Sequence, residues 1–95
     1  MSEYDRQRQQ GAHMIGIEFK KRVLARGFRT DIDVGWDGGQ DEPNRTRELH
    51  DVEFRAGGKA VVKQLSDEAV ADFPGQVGTA LTMAIIKEAV EELAL

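Results

Sequence analysis

The 95-residue chain has no cysteine, only two prolines, one tryptophan and one tyrosine. The absence of cysteine excludes a disulfide scaffold and a zinc site with cysteine ligands. No run of about eighteen apolar residues is present, so no membrane-spanning helix is predicted. Residues 1–10 are polar and lack the apolar core of a signal peptide, and we therefore expect a cytoplasmic protein.

The overall composition, with 40% hydrophobic and 32% charged residues, is typical of one globular domain. The formal net charge of −4 conceals an uneven distribution. Residues 1–30 carry seven basic and three acidic residues, a net +4, whereas residues 31–95 carry six basic and fourteen acidic residues, a net −8. The basic segment could therefore bind an external anion, or the acidic remainder of the same chain or of a second chain.

The chain is predicted to begin with a flexible polar tail, residues 1–11, followed by a single α+β domain over residues 12–95. The tail could instead be the frayed start of a helix. A helix is predicted from about residue 12 to residue 26, because Ile15, Phe19 and Val23 recur on one helical face. Gly27 follows the basic last turn and suits a helix end.

Three strands are predicted from alternating apolar and polar residues. The first, residues 30–36, places Ile32, Val34 and Trp36 on one face. The second and third, residues 48–55 and 59–65, are joined by Gly57 and Gly58, a strong signal for a two-residue hairpin turn. This turn predicts that Arg55 lies opposite Ala60 and Phe54 opposite Val61.

The remaining residues predict two helical segments. Ser66 is a suitable cap for a short helix over residues 67–72, and the main helix is expected over residues 75–93. Its predicted core face carries Leu81 and Ile85, together with Val77 and Ala84. The order is α-β-β-β-α, which predicts an α+β fold with a three-stranded antiparallel sheet and helices on one face.

Apolar residues left over on both predicted helices indicate a homo-oligomer, with a dimer as the simplest case. The candidate interface residues are Met14, Ile17, Leu24, Phe28, Ile86, Val90 and Leu93.

A non-catalytic protein-interaction module of the inhibitor or adaptor type is the leading functional prediction. Its target would contact an acidic sheet face or the loop over residues 37–46, whose spacing does not match a calcium-binding EF-hand. The candidate residues are Asp31, Asp33, Asp51 and Glu53 on the sheet, and Asp37, Asp41 and Glu42 in the loop. An alternative is a divalent metal ion, Mg²⁺ or Ca²⁺, held by the sheet carboxylates.

Enzymatic chemistry is a minority prediction, and no cofactor is expected. Neither His13 nor His50 belongs to a recognisable catalytic or metal-binding motif. His50 precedes Asp51, but neighbouring strand residues point to opposite faces, so His50 is expected to be an ordinary sheet or edge residue.

Nucleic-acid binding through the first helix is the second functional alternative. The predicted element order is shared with double-stranded RNA-binding domains, although no sequence motif of that family is present. The acidic start of the helix after Ser66 would repel phosphate, which departs from that family's pattern. The basic residues that would serve this role are Lys20, Lys21, Arg22, Arg26 and Arg29, with Arg45 and Arg47 in the following loop.

Overall fold

The computed structural model describes residues 2–39 and 42–95 and has the predicted α+β architecture. An antiparallel sheet of three strands, in the order β1-β2-β3, is covered on one face by helices. The elements are α1 (Glu3–Ala25), β1 (Asp33–Gly35), β2 (Leu49–Ala56), β3 (Lys59–Ser66), α2 (Asp67–Asp72), a 3₁₀ turn (Phe73–Gly75) and α3 (Thr79–Leu93).

The β2–β3 hairpin confirms the register predicted from its turn. Gly57 and Gly58 both have positive φ, at 60° and 79°, as a two-residue turn of this kind requires. Phe54 lies opposite Val61 and Arg55 opposite Ala60. β1 is shorter than expected, because Asp31 has a left-handed φ of 57° and cannot continue the extended strand.

Residues 3–11, predicted as a flexible tail or the frayed start of a helix, form the first turns of α1, which begins at Glu3. The Ser2 hydroxyl accepts a hydrogen bond from the Asp5 N–H at 3.0 Å and caps the helix. Arg8 is only 5% exposed, and Gly11 is also buried. The spacing of apolar residues did not predict this first half of α1, because the charged side chain of Arg8 anchors it to the rest of the fold.

The core lies between the sheet and the helices. Ile15, Phe19 and Val23 of α1 are completely buried, as predicted. The Phe19 ring is tilted against that of Phe54 on β2, with ring centroids 4.9 Å apart. This contact packs the middle of α1 against the central strand, β2.

The predicted orientation of α3 is wrong. Ile86, Val90 and Leu93 were expected at an oligomer interface but lie in the core, at most 4% exposed. Leu81 was expected in the core and is 77% exposed. Because α3 is apolar on most of its surface, periodicity alone did not identify the stripe that faces the sheet.

The α1 interface candidates fall into two groups. Ile17 and Leu24 are exposed, as an interface would require, at 55% and 39%. Met14 and Phe28 instead pack partly against the core of their own chain.

No single helix of the described chain is long and apolar enough to span a membrane. The bent pair Asp67–Gly75 and Thr79–Leu93, which makes an angle of 107°, meets those criteria by length and composition when the two are taken together.

The cap of α2 provides a local test of the fold. The Ser66 hydroxyl accepts a hydrogen bond from the Ala69 N–H at 3.0 Å. We expect Ser66→Ala to lower the free energy of unfolding by about 1 kcal/mol, because an N–H at the helix start loses its partner. Urea denaturation measures the difference. Ser66→Asp, which restores an acceptor, should recover most of it, and a failure to do so would contradict the capping role.

Candidate functional site

The outer face of the sheet carries carboxylates as predicted, but cations of the same chain neutralise them. Arg55 on β2 forms ion pairs with Asp33 and with Glu53, the latter at 3.2 Å. Asp51 contacts Arg47 at 3.5 Å and accepts a hydrogen bond from Gln64 at 3.1 Å. An array of uncompensated carboxylates is therefore absent from this face.

The metal alternative on the sheet is not supported by this arrangement. Asp31 lies outside β1, and the carboxylates of Asp33 and Glu53 are already paired with Arg55. Within residues 2–39 and 42–95, no group of three or more acidic or histidine side chains is placed to hold a metal ion.

Some side chains of the loop over residues 37–46 turn into the protein, and others face solvent. Asp37 was predicted to contact a partner, but its carboxylate turns inward and accepts a hydrogen bond from the Asn44 N–H at 2.9 Å. Glu42 is exposed and Pro43 is buried. Asp41 lies outside the described residues.

A buried hydrogen-bonded network, formed by Arg8, Asp37, His50 and Asp67, lies behind this loop. His50 is completely buried between two carboxylates. Its Nδ1 is 2.9 Å from Asp37 Oδ1, and its Nε2 is 2.7 Å from Asp67 Oδ1. A ring protonated at both nitrogens donates to both carboxylates, whereas a neutral ring can donate to only one.

Asp67 is the centre of the network. It accepts hydrogen bonds from Arg8 Nε at 2.6 Å, Arg8 Nη2 at 2.9 Å and the Tyr4 hydroxyl at 2.8 Å. Burial opposes ionisation of Asp67, but the bonds from Arg8, His50 and Tyr4 outweigh it and lower its pKa to about 2. Burial also opposes ionisation of Asp37, and the bonds from Asn44 and His50 lower its pKa.

The network joins α1, β2, the loop and the start of α2, and the sequence analysis missed it. His50 was expected to be an ordinary sheet or edge residue, yet it pairs with acids 13 and 17 positions away. One signal was available: strand alternation places His50 on the same face as the apolar Val52 and Phe54. A histidine on a core face needs polar partners.

The network lies in the interior of the protein. His50 has no exposed surface from which a substrate could be reached. The hydrogen bonds of the ring end on Asp37 and Asp67, which are acceptors rather than nucleophiles that a histidine would activate.

The predicted basic residues of the first helix do not form one surface of free cations. Arg22 pairs with Glu18 at 3.7 Å. Arg29 donates hydrogen bonds to the carbonyls of Leu24 and Phe28 at 3.1 and 2.9 Å, which satisfies groups at the end of α1. The remaining members of the set, Lys20, Lys21 and Arg26, are exposed.

A cleft of about 540 Å³ separates α1 from β1 and was not predicted. Its walls include Gly16 of α1, Val34 of β1, Trp36 and Pro43. A Cβ atom at Gly16 would meet no atom within 4 Å, so the space beside this glycine is open. The volume is within the range of about 300–1,000 Å³ that is typical of ligand pockets.

The two ends of the cleft carry opposite charges. Glu42 lies beside Gln9, whose Nε2 is 3.4 Å from the Glu42 carboxylate, and Lys20 lies three helical turns further along α1. Because the chain reverses between α1 and β1, Ile32 lies towards the Lys20 end and Trp36 towards the Glu42 end.

Asp33 also lines the cleft near Lys20, but its carboxylate is paired with Arg55. His13 lies on the α1 wall. The cleft therefore has mostly apolar residues in its middle, the charge of Lys20 at one end and that of Glu42 at the other.

No family model, curated protein or solved structure matches this chain.

Proposed function

We propose that the protein is a non-catalytic interaction module that binds an extended segment of a target protein in the cleft between α1 and β1. The observation that carries this proposal is an open strand edge beside an apolar cleft. The loop over residues 37–46 contributes Glu42 and Pro43 to the same cleft, which supports the predicted role of that loop in target contact.

The backbone of β1 supports binding of an added strand. Asp33 and Gly35 lie opposite Arg55 and Glu53 in the β1–β2 ladder. Hydrogen-bonded pairs alternate along such a ladder, so the N–H and C=O of the intervening Val34 point away from β2. In the free protein the Val34 N–H donates to the Asp33 carboxylate at 2.8 Å. An incoming strand supplies the complementary backbone groups.

The charges of the cleft define the target segment. The eleven positions from Gln9 to Lys20 rise about 16 Å along a helix, which corresponds to about five residues of extended chain. The segment that fits has an apolar side chain at its centre, facing Gly16. It has an acidic residue at the Lys20 end and a basic residue at the Glu42 end.

The cleft can be tested with the single tryptophan of the chain as reporter. Random peptides selected on the immobilised protein should be enriched in the pattern acidic–apolar–basic, and a selected peptide should change the fluorescence of Trp36 on titration. Gly16→Leu should weaken that peptide by about tenfold or more, equivalent to about 1.4 kcal/mol, because the new side chain fills the cleft.

The matched control is Gln7→Leu, which adds a leucine to the opposite side of α1 and should leave peptide affinity unchanged. Urea denaturation of both variants establishes that the fold is retained. The proposal fails if the selected peptides bind Gly16→Leu as tightly as the unmodified protein, or if they bind without any change at Trp36.

A further inference from the structure

The far edge of the sheet is formed by β3, an eight-residue strand on the side opposite the cleft. Proteins usually protect such edges with a proline, a bulge, a very short strand or charged side chains, lysine in particular. The lysine in the middle of β3, Lys63, is neutralised by Glu88 and Glu92 of its own chain. β3 has no proline and pairs continuously with β2. Its residues on the outer face, Ala60, Val62 and Gln64, are uncharged and exposed.

The backbone groups along this edge are also open. A two-residue hairpin closes with a hydrogen-bonded pair, which here is Ala56 and Lys59. Since bonded and non-bonded pairs alternate, the N–H and C=O groups of Ala60, Val62 and Gln64 point away from β2. No backbone partner for these groups is found within residues 2–39 and 42–95.

We propose that a second copy of the chain pairs with this edge, antiparallel to β3, about a two-fold axis at Val62. This register places Val62 opposite Val62 of the second copy and Ala60 opposite Gln64. All three residues with outward backbone groups then form hydrogen-bonded pairs, each of which exchanges two bonds. The inference goes beyond the peptide-binding proposal, because it uses the other edge of the sheet.

Avoidance of like-charge contacts selects that register over its neighbours. With the axis at Val62, Lys63 lies opposite Val61 and Lys59 lies opposite Leu65, so no lysine opposes a lysine. A shift of two residues in one direction places Lys63 opposite Lys59, and a shift in the other places Lys63 opposite its own copy. Like charges directly opposite each other destabilise strand pairing.

The side chains next to the edge fit the same arrangement. Lys63 lies on the helix-covered face and pairs with Glu88, at 2.6 Å, and with Glu92 of α3, so its charge is balanced before pairing. The helical stripe that contains these glutamates continues at Ile85, half-buried, and Leu81, 77% exposed. Pairing of the two β3 strands would bring this stripe of one copy beside the α3 helix of the other and cover part of it.

Light scattering on the full chain across micromolar to millimolar concentration is the first measurement. A particle of twice 10.6 kDa is expected, with conversion to the monomer in Val62→Lys, which places two ammonium groups opposite each other. Val62→Thr, which keeps a β-branched side chain, is the control and should remain dimeric. Val62 is 58% exposed, so neither change is expected to disturb the core.

Disulfide cross-linking through an introduced cysteine tests the position of the two-fold axis. The chain has no cysteine of its own that could interfere. Val62→Cys should form a disulfide-linked dimer readily, since the Cα atoms of a bonded antiparallel pair lie about 5.5 Å apart, within disulfide range. Val77→Cys, at a position 66% exposed and outside the sheet, should cross-link much less. A monomer at every concentration, a dimer that is unchanged in Val62→Lys, or equal cross-linking of the two cysteine variants would overturn the proposal.

Discussion

Replacing Asp67 with alanine is expected to lower the free energy of unfolding by about 4 kcal/mol, the cost typical of removing one partner from a buried ion pair. The loss is large because Arg8 and His50 remain buried without the carboxylate that compensates their polar groups. The Tyr4 hydroxyl loses the same acceptor. Urea denaturation of the variant and the unmodified protein measures the difference.

Glu68→Ala is the matched control, because Glu68 is the next residue of α2 and is exposed. That change should alter stability by less than about 0.5 kcal/mol. Equal effects of the two substitutions would show that the acidic first turn of α2, rather than the network, is responsible.

Asp67→Ala should also change how the free energy of unfolding depends on pH. The pKa of Asp67 is lowered from 3.8 to about 2 in the fold. Its ionised form therefore stabilises the fold at pH values above 3.8, and this contribution is lost as the pH falls towards 2. Asp67→Ala should accordingly lose less additional stability than the unmodified protein when the pH is lowered through this range. Parallel stability curves for the two proteins would contradict this assignment.

Gly11→Ala is expected to destabilise the protein by about 3 kcal/mol or more, at or beyond the upper end of typical overpacking costs. A Cβ atom at Gly11 would lie 1.8 Å from the carbonyl oxygen of Val70 in α2. That oxygen belongs to the backbone, so the two helices must separate to admit a single methyl group. Thermal and urea denaturation both report the loss.

Gly16→Ala on the same helix is the control with the opposite sign. It would meet no atom within 4 Å, and alanine is favoured over glycine in a helix by about 1 kcal/mol. We therefore expect this variant to be more stable than the unmodified protein. Destabilisation of similar size at both glycines would mean that α1 and α2 do not make the close contact described above.

The parts of the fold that could be predicted from sequence depend on interactions between near neighbours. Gly57 and Gly58 determine a two-residue turn, and that turn determines the register of β2 and β3. The Ser66 cap depends on a residue three positions away. In such cases the residues that decide the structure lie within a few positions of each other.

The parts that could not be predicted depend on distant residues or on a choice between similar surfaces. By local sequence alone Arg8 belongs to a polar segment, and only the fold places it beside Asp67, 59 positions away. In α3 the stripes containing Leu81 and Ile86 are both apolar, and only the position of the sheet distinguishes them. The cleft was missed for a related reason, because the gap between α1 and β1 depends on how the two elements pack.

The separation between Arg8 and Asp67 has a consequence for the order of folding. The β2–β3 hairpin closes over two residues, whereas joining α1 to α2 closes a chain of 59 residues. Closing the longer loop costs more conformational entropy, so contacts across it are made later. α1 is thus expected to dock on a hairpin that has already formed, and to leave first when the protein opens. A chain opened in this way would expose the apolar face of the hairpin that carries Phe54. Rapid docking of α1 is therefore expected to limit aggregation.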